Sequence, residues 1–246
     1  AIFGFGTTAV ATSVTNLVSN TGVVATDIIS VGIARQWLAA AGYGGDKAIF
    51  GYGYVATYVS LTNLVSNTGV VAADTTGVGT ARYELAAATY GGDKAIFGYG
   101  ETAAIVSLTN LVSNAGVVAT DTTGVGTARY NLAAVGYGTD KAIFGYGFSG
   151  GAVSMTNLVS NTGVVATDTT GVGTARYLPA AAGYGSTGQA IFGFGTTGVA
   201  TSLTNKVSNT GVVATDTTGV GTARYGLAAA GYGGDKAIFG YGYNGT

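Results

Sequence analysis

The sequence predicts an all-β chain folded as a closed ring of small, similar sheets, and three observations carry that expectation. One is a long repeat: "AIFG" begins at Ala1, Ala48, Ala95, Ala142, Ala190 and Ala237, at intervals of 47, 47, 47, 48 and 47 residues. A repeat of this length marks a sheet-per-repeat architecture. Another is the period inside each repeat, which is strand-like throughout and never sustains a capped helical pattern. The last is the absence of atypical end copies, which an open solenoid would need to cap its ends. Together they define a five-bladed β-propeller of about 47 residues and four antiparallel strands per blade. It is one domain, residues 1–246, with repeats at 1–47, 48–94, 95–141, 142–189 and 190–236 and a partial sixth at 237–246.

Each strand can be justified in the copy at 142–189. "ARYLPAAAGYG" (175–185) is rich in small residues, as a crowded strand near an axis requires, and is the inner strand. "AIFGYG" (142–147) is short and β-favouring, the second strand. "AVSMTNLVS" (152–160) alternates apolar and polar residues, the third strand. "GVVATDTT" (163–170) follows the turn "SNTG" and is the outer strand. Gly and Asn gather between these runs, where tight turns need positive φ. The one inserted residue falls in "GYGSTGQ" (183–189), where other copies read "YGGDK". The chain begins at a second strand and ends just after one. The expected closure joins the last inner strand, 227–233, to the first third and outer strands, 12–27, which would abolish open edges. Segments 1–6 and 237–242 then compete for one place; the loser is displaced, added at an edge or shared with a neighbour, so the expected state is a monomer or a strand-exchange oligomer.

"ARYGLAAAGYGGDKAIFGYG" (223–242) resembles the kelch repeat: an Arg entering the inner strand, a small-residue strand, a tight turn, then an apolar strand ending in glycines. The likeness recurs in all five copies and implies a propeller. Five copies of about 47 residues are also similar in size to a five-bladed lectin propeller.

Composition removes several classes of function. Ten basic against eleven acidic residues give a net charge of −1, so no basic stripe can neutralise phosphates, and nucleic acid is not an expected partner. The absence of Cys rules out disulfides, zinc-finger spacing and a thiol nucleophile. Gly, Thr and Ser interrupt every apolar run short of the roughly 18 residues that span a bilayer. The chain opens without Met or a charged segment, so no signal peptide is expected, and composition assigns no compartment. No cofactor or metal is expected either. "GFGTTG" and "GYGFSG" have no helix behind them to hold a phosphate, and "TDTTGVG" lacks the alternating acidic ligands of a calcium loop.

The charges recur once per copy. Asp27, Asp74, Asp121, Asp168 and Asp216 each stand eight residues before Arg35, Arg82, Arg129, Arg176 and Arg224, a spacing shared by all five copies. They read as a structural ring of ion pairs, one per blade. Phe50, Tyr52, Tyr90 and their counterparts read as packing between blades, with Tyr hydroxyls on backbone partners. With no His in the chain, the commonest general base is missing, and the protein reads as non-enzymatic. The unrepeated carboxylates Glu84 and Glu101 are expected to emerge near each other; a pair like this is the one arrangement through which a glycoside-acting enzyme could be built.

The copies differ mainly in two places: after "FGYG" (7–10, 54–58, 101–105, 148–152, 196–200) and between outer and inner strands (28–33, then Trp37, Glu84, Asn131, Leu178 and Gly226). Antiparallel geometry places both connections on one side of the disc. That side is the expected ligand face, with Trp37, Tyr54, Tyr58, Glu84, Glu101, Asn131 and Phe148 as candidates for a glycan or protein partner. The leading expectation is a structural or binding propeller: a surface or viral attachment module, or a symmetrised repeat protein. A multivalent, lectin-like propeller is the rival.

Overall fold

A computed structural model describes residues 1–29 and 31–245; Ser30, within the variable stretch 28–33, and Thr246, the last residue of the partial sixth repeat, lie outside the described residues. The described chain is all-β, with seventeen short strands and no helix, so no helix is long and apolar enough to cross a membrane.

The repeat dictates the sheets. "AAxxY" forms β4 (Ala39–Tyr43), β7 (Ala86–Tyr90), β10 (Ala133–Tyr137), β13 (Ala180–Tyr184) and β16 (Ala228–Tyr232). A tight turn leads into β5 (Lys47–Gly51), β8 (Lys94–Gly98), β11 (Lys141–Gly145), β14 (Gln189–Gly193) and β17 (Lys236–Gly240). The alternating "TNxV" segment forms β6 (Thr62–Val65), β9 (Thr109–Val112), β12 (Thr156–Val159) and β15 (Thr204–Val207). The first copy contributes β1 (Ile2–Thr7), β2 (Ala11–Leu17) and β3 (Ile28–Ile29). Register is shared among copies: Tyr43 pairs with Lys47 and Gly51 with Thr62, as Tyr90 pairs with Lys94 and Gly98 with Thr109.

Apart from the two-residue β3 of the first copy, the fourth strand of the expected blade is not a strand. Only bridges remain, such as Thr62 with Thr75 and Val65 with Val71. Between them the Asn63 side chain inserts, its Nδ2 donating to the Ala72 carbonyl at 3.0 Å and to Asp74 Oδ1 at 2.9 Å. A side-chain amide takes the place of the central ladder bonds.

Successive inner strands β4, β7, β10, β13 and β16 pack side by side in chain order. The core lies between sheets: Ile49 and Tyr52 of one meet Leu85, Ala95 and Phe97 of the next. Gly51 is required here, because a Cβ would stand 2.7 Å from the Phe97 ring. Tyr52 meets the edge of that ring at 5.2 Å, and its hydroxyl donates to the Val78 carbonyl at 3.1 Å. Burial pushes the Tyr52 hydroxyl up to about 12.

The array holds six sheets rather than five, and it is not closed. β16 pairs with β17 and β1 pairs with β2, so both terminal "AIFG" segments are used, each in its own sheet. The expected pairing of 227–233 with 12–27 is not made. The first sheet lacks an inner strand, and the last has only its first two. Their unshared faces are exposed: Phe3 at 40% and Tyr241 at 85%, where the equivalent Phe97 and Tyr99 are at 0%. Phe3, Val18 and Val24 on one side and Tyr232, Ile238 and Tyr241 on the other line a cleft of about 820 Å³.

Candidate binding face

One arginine locks each complete sheet. Arg82 is fully buried just ahead of β7. Its Nε donates to the Tyr99 carbonyl at 2.9 Å, and Nη2 donates to Asn110 Oδ1 at 2.6 Å. Nη1 donates to the Thr80 carbonyl and lies 3.8 Å from Asp121. The guanidinium also stands 4.4 Å above the Tyr52 ring of the preceding sheet, a cation–π contact that ties neighbours together. Arg35–Asp74, Arg129–Asp168 and Arg176–Asp216 repeat the ion pair at 3.4, 3.9 and 3.8 Å. Each Arg thus pairs with the Asp of the following copy and not with the one eight residues before it. The chain enters a sheet at the Arg and leaves it at the next copy's Asp.

Asp27 and Arg224 are consequently left over. Asp27 accepts from Asn16 Nδ2 at 2.8 Å, while Arg224 Nε is buried without a hydrogen-bond partner. Among the described residues neither forms an ion pair.

The variable positions converge. Trp37, Glu84, Asn131, Leu178 and Gly226 occupy one site per copy, with φ of +55°, +52°, +51°, +52° and +63°. This left-handed conformation suits Gly, is tolerated by Asn, and strains Trp, Glu and Leu. Their backbones join in a stair. The Glu84 N–H donates to the Trp37 carbonyl at 2.9 Å, Asn131 to Glu84 at 3.0 Å, Leu178 to Asn131 at 2.8 Å and Gly226 to Leu178 at 3.1 Å. Residues about one repeat apart in sequence become neighbours. The second variable segment folds against this stair, since Gln36 bridges to Tyr54, Tyr83 to Glu101 and Tyr130 to Phe148. Both variable connections therefore share one end of the strands. The "GGDK" and "SNTG" turns occupy the other end, where Asn67 Nδ2 donates to Asp46 Oδ2 at 3.1 Å.

At the first two steps of the stair the side chains form an aromatic cluster. Trp37 lies 5.7 Å from Tyr54 and 5.6 Å from Tyr83, and Tyr58 stacks on Tyr83 at 5.4 Å with an interplanar angle of 4°. Trp37 caps the cluster at 46% exposure. Phe148 belongs to a second, smaller group with Tyr130 and Tyr177, at 5.5 and 5.2 Å.

The two glutamates edge the main cluster. Burial, reinforced by the charge of Glu101, pushes the Glu84 carboxyl up to about 7, against the pull of its hydrogen bond with Asn131. Burial and a hydrogen bond with Glu101 push the Tyr83 hydroxyl up as well. All seven candidate residues thus lie at one end of the strands, and the structure adds Tyr83, Tyr130 and Tyr177. Repetition hid these three: a Tyr after the Arg occurs in four copies and resembles framework. The replacement of that Tyr by Gln36 in the first copy was the one available signal. Among the described residues no group of three His, Cys, Asp or Glu side chains could hold a metal ion.

No known protein family matches the sequence, and no curated protein matches it either.

Proposed function

We propose that the protein is a non-enzymatic binding module built as a kelch-like, five-bladed propeller, with its ligand taken at the variable face. One observation carries the functional reading: aromatic and acidic residues of three successive copies, most of them unrepeated, meet in one strained, partly exposed cluster, while the opposite end of every sheet is nearly invariant. The repeated framework residues Tyr52, Tyr99 and Tyr146 share the left-handed backbone of the stair, so it is the variable side chains carried there, not the strain, that favour a site. The cluster occurs once, which favours a single principal site over a multivalent, lectin-like ring of equal pockets.

The five-bladed form is supported by the complementarity of the two ends. An inner strand at β16 and outer strands at β2 and β3 are what a single blade comprises. Arg224 lacks an Asn and an Asp, and Asn16 with Asp27 lack an Arg. Exchange of β17 for β1 beside β16 would supply all of them.

Capture of ligands from immobilised glycan and peptide collections tests the functional reading. Binding should be lost on Trp37→Ala and Tyr58→Ala and kept on Asn67→Ala at the opposite end. Ligands held equally by all three variants would overturn it. So would turnover of aryl glycosides that disappears in Glu101→Gln, because that outcome makes the glutamate pair an active site.

A further inference from the structure

The charge on the binding face is one-sided. The chain has ten basic residues. Arg35, Arg82, Arg129 and Arg176 are buried inside sheets on their own Asn and Asp partners. Lys47, Lys94, Lys141 and Lys236 sit beside Asp46, Asp93, Asp140 and Asp235 in turns at the far end of the strands. Lys206 lies within β15, and Arg224 lies over Phe194, at 5.2 Å. All nine Asp residues occupy repeated positions in the sheet locks and turns, which leaves Glu84 and Glu101 as the only carboxylates outside the repeat pattern. Both flank the aromatic cluster: Glu84 follows Trp37 on the stair, and Glu101 is paired backbone to backbone with Tyr83, at 3.0 and 2.9 Å.

Resting on the binding-face reading above, we infer that the cluster is a site for an organic cation, an ammonium or guanidinium group laid on the exposed indole of Trp37 between Glu84 and Glu101. The aromatic faces present negative quadrupole, and Glu101, joined by Glu84 as that carboxyl ionises, adds charge; among the described residues neither forms an ion pair with a basic side chain. The four rings stand only 5.4–6.1 Å apart, so they fill one another's space and leave the open Trp37 face as the platform. A small molecule and a basic side chain both carry such a cation and share this chemistry.

Trp37 is the only Trp in the chain, so its fluorescence reports the site directly. Titration with choline chloride at fixed ionic strength should give a saturable change, at least tenfold stronger than that from 3,3-dimethylbutan-1-ol, the neutral analogue of the same shape. Arginine amide in place of choline separates the guanidinium from the quaternary ammonium source. Binding of either cation should weaken three- to tenfold on Glu101→Gln and on raising the salt. Where that variant fails to fold, the salt dependence and the neutral analogue, both measured on the unaltered protein, still decide. Equal binding of the neutral analogue, or no saturable change with either cation, overturns the inference. A glycan that binds through Trp37 while both cations fail would overturn the cation site alone and leave the binding face standing; failure of every ligand in a Trp37-dependent manner would overturn both.

Discussion

Arg129 and Arg224 occupy the same place in the same repeat, yet one is fully buried with all three guanidinium nitrogens engaged and the other has a buried Nε without a hydrogen-bond partner. The local sequence around them is almost the same: "TARYNLAAVGYG" against "TARYGLAAAGYG". What differs is the company. Arg129 receives Asn157 from β12 and Asp168 from the segment after it, and the chain given has no such segments beyond Arg224. In a repeat protein a residue's environment is supplied by the next copy, so the ends of the chain expose the interaction that every interior copy conceals.

The contrast can be tested by paired substitutions. Arg129→Met removes a buried charge and strands the Asn157 and Asp168 groups; it should cost about 3–5 kcal/mol in urea unfolding. If the ends complete one blade, Arg224→Met should cost a comparable amount, whereas a permanently open array would lose little. Gly98→Ala should cost about 1–3 kcal/mol, because its Cβ would stand 2.7 Å from the Phe144 ring; Gly240 has nothing within 4 Å, and Gly240→Ala should be silent. Tyr99→Phe forfeits the hydroxyl bond to the Val125 carbonyl and should cost about 1 kcal/mol, while Tyr241→Phe, on an exposed ring, should cost nothing measurable.

Two pH effects follow from the same burial. Tyr52, Tyr99 and Tyr146 titrate near 12 when folded against 10.0 unfolded, so the folded state binds more protons between those values. Their contribution is complete below pH 10 and is lost as pH rises toward 12; alkaline melts followed by tyrosinate absorbance should show it. Glu84, held near 7 against an ordinary 4.5, behaves likewise at lower pH, and its contribution fades as pH rises through 7. Glu84→Gln should therefore raise the melting temperature at pH 8 relative to the unaltered protein, by the smallest margin of the set, and change little at pH 4.

Much of this was legible in the sequence. The 47-residue period, the strand-like alternation and the turn glycines gave the sheets, because each is a local signal. The convergence of Trp37, Glu84 and Asn131 was legible too, since antiparallel strands must return variable loops to one side. The outer strand was misread because Asn63 occupies the ladder with its side chain, and no alternation pattern records that. The pairing of Asp and Arg was hidden for a related reason: the eight-residue spacing is short in the chain, but the sheet is closed by residues 39 or 40 positions further on. Tyr83 was missed because a repeated residue looks structural even when its neighbours make it part of the aromatic cluster.

The claim that the two ends are halves of one blade is tested most directly by a double-mutant cycle between Arg224 and Asp27, run on monomer at low protein concentration, beside the same cycle on Arg129 and Asp168. Completion of the blade predicts coupling at the ends of similar size to that of the interior pair, in the range of about 0.5–3 kcal/mol. Strict additivity at Arg224 and Asp27, with coupling intact at Arg129 and Asp168, would contradict it.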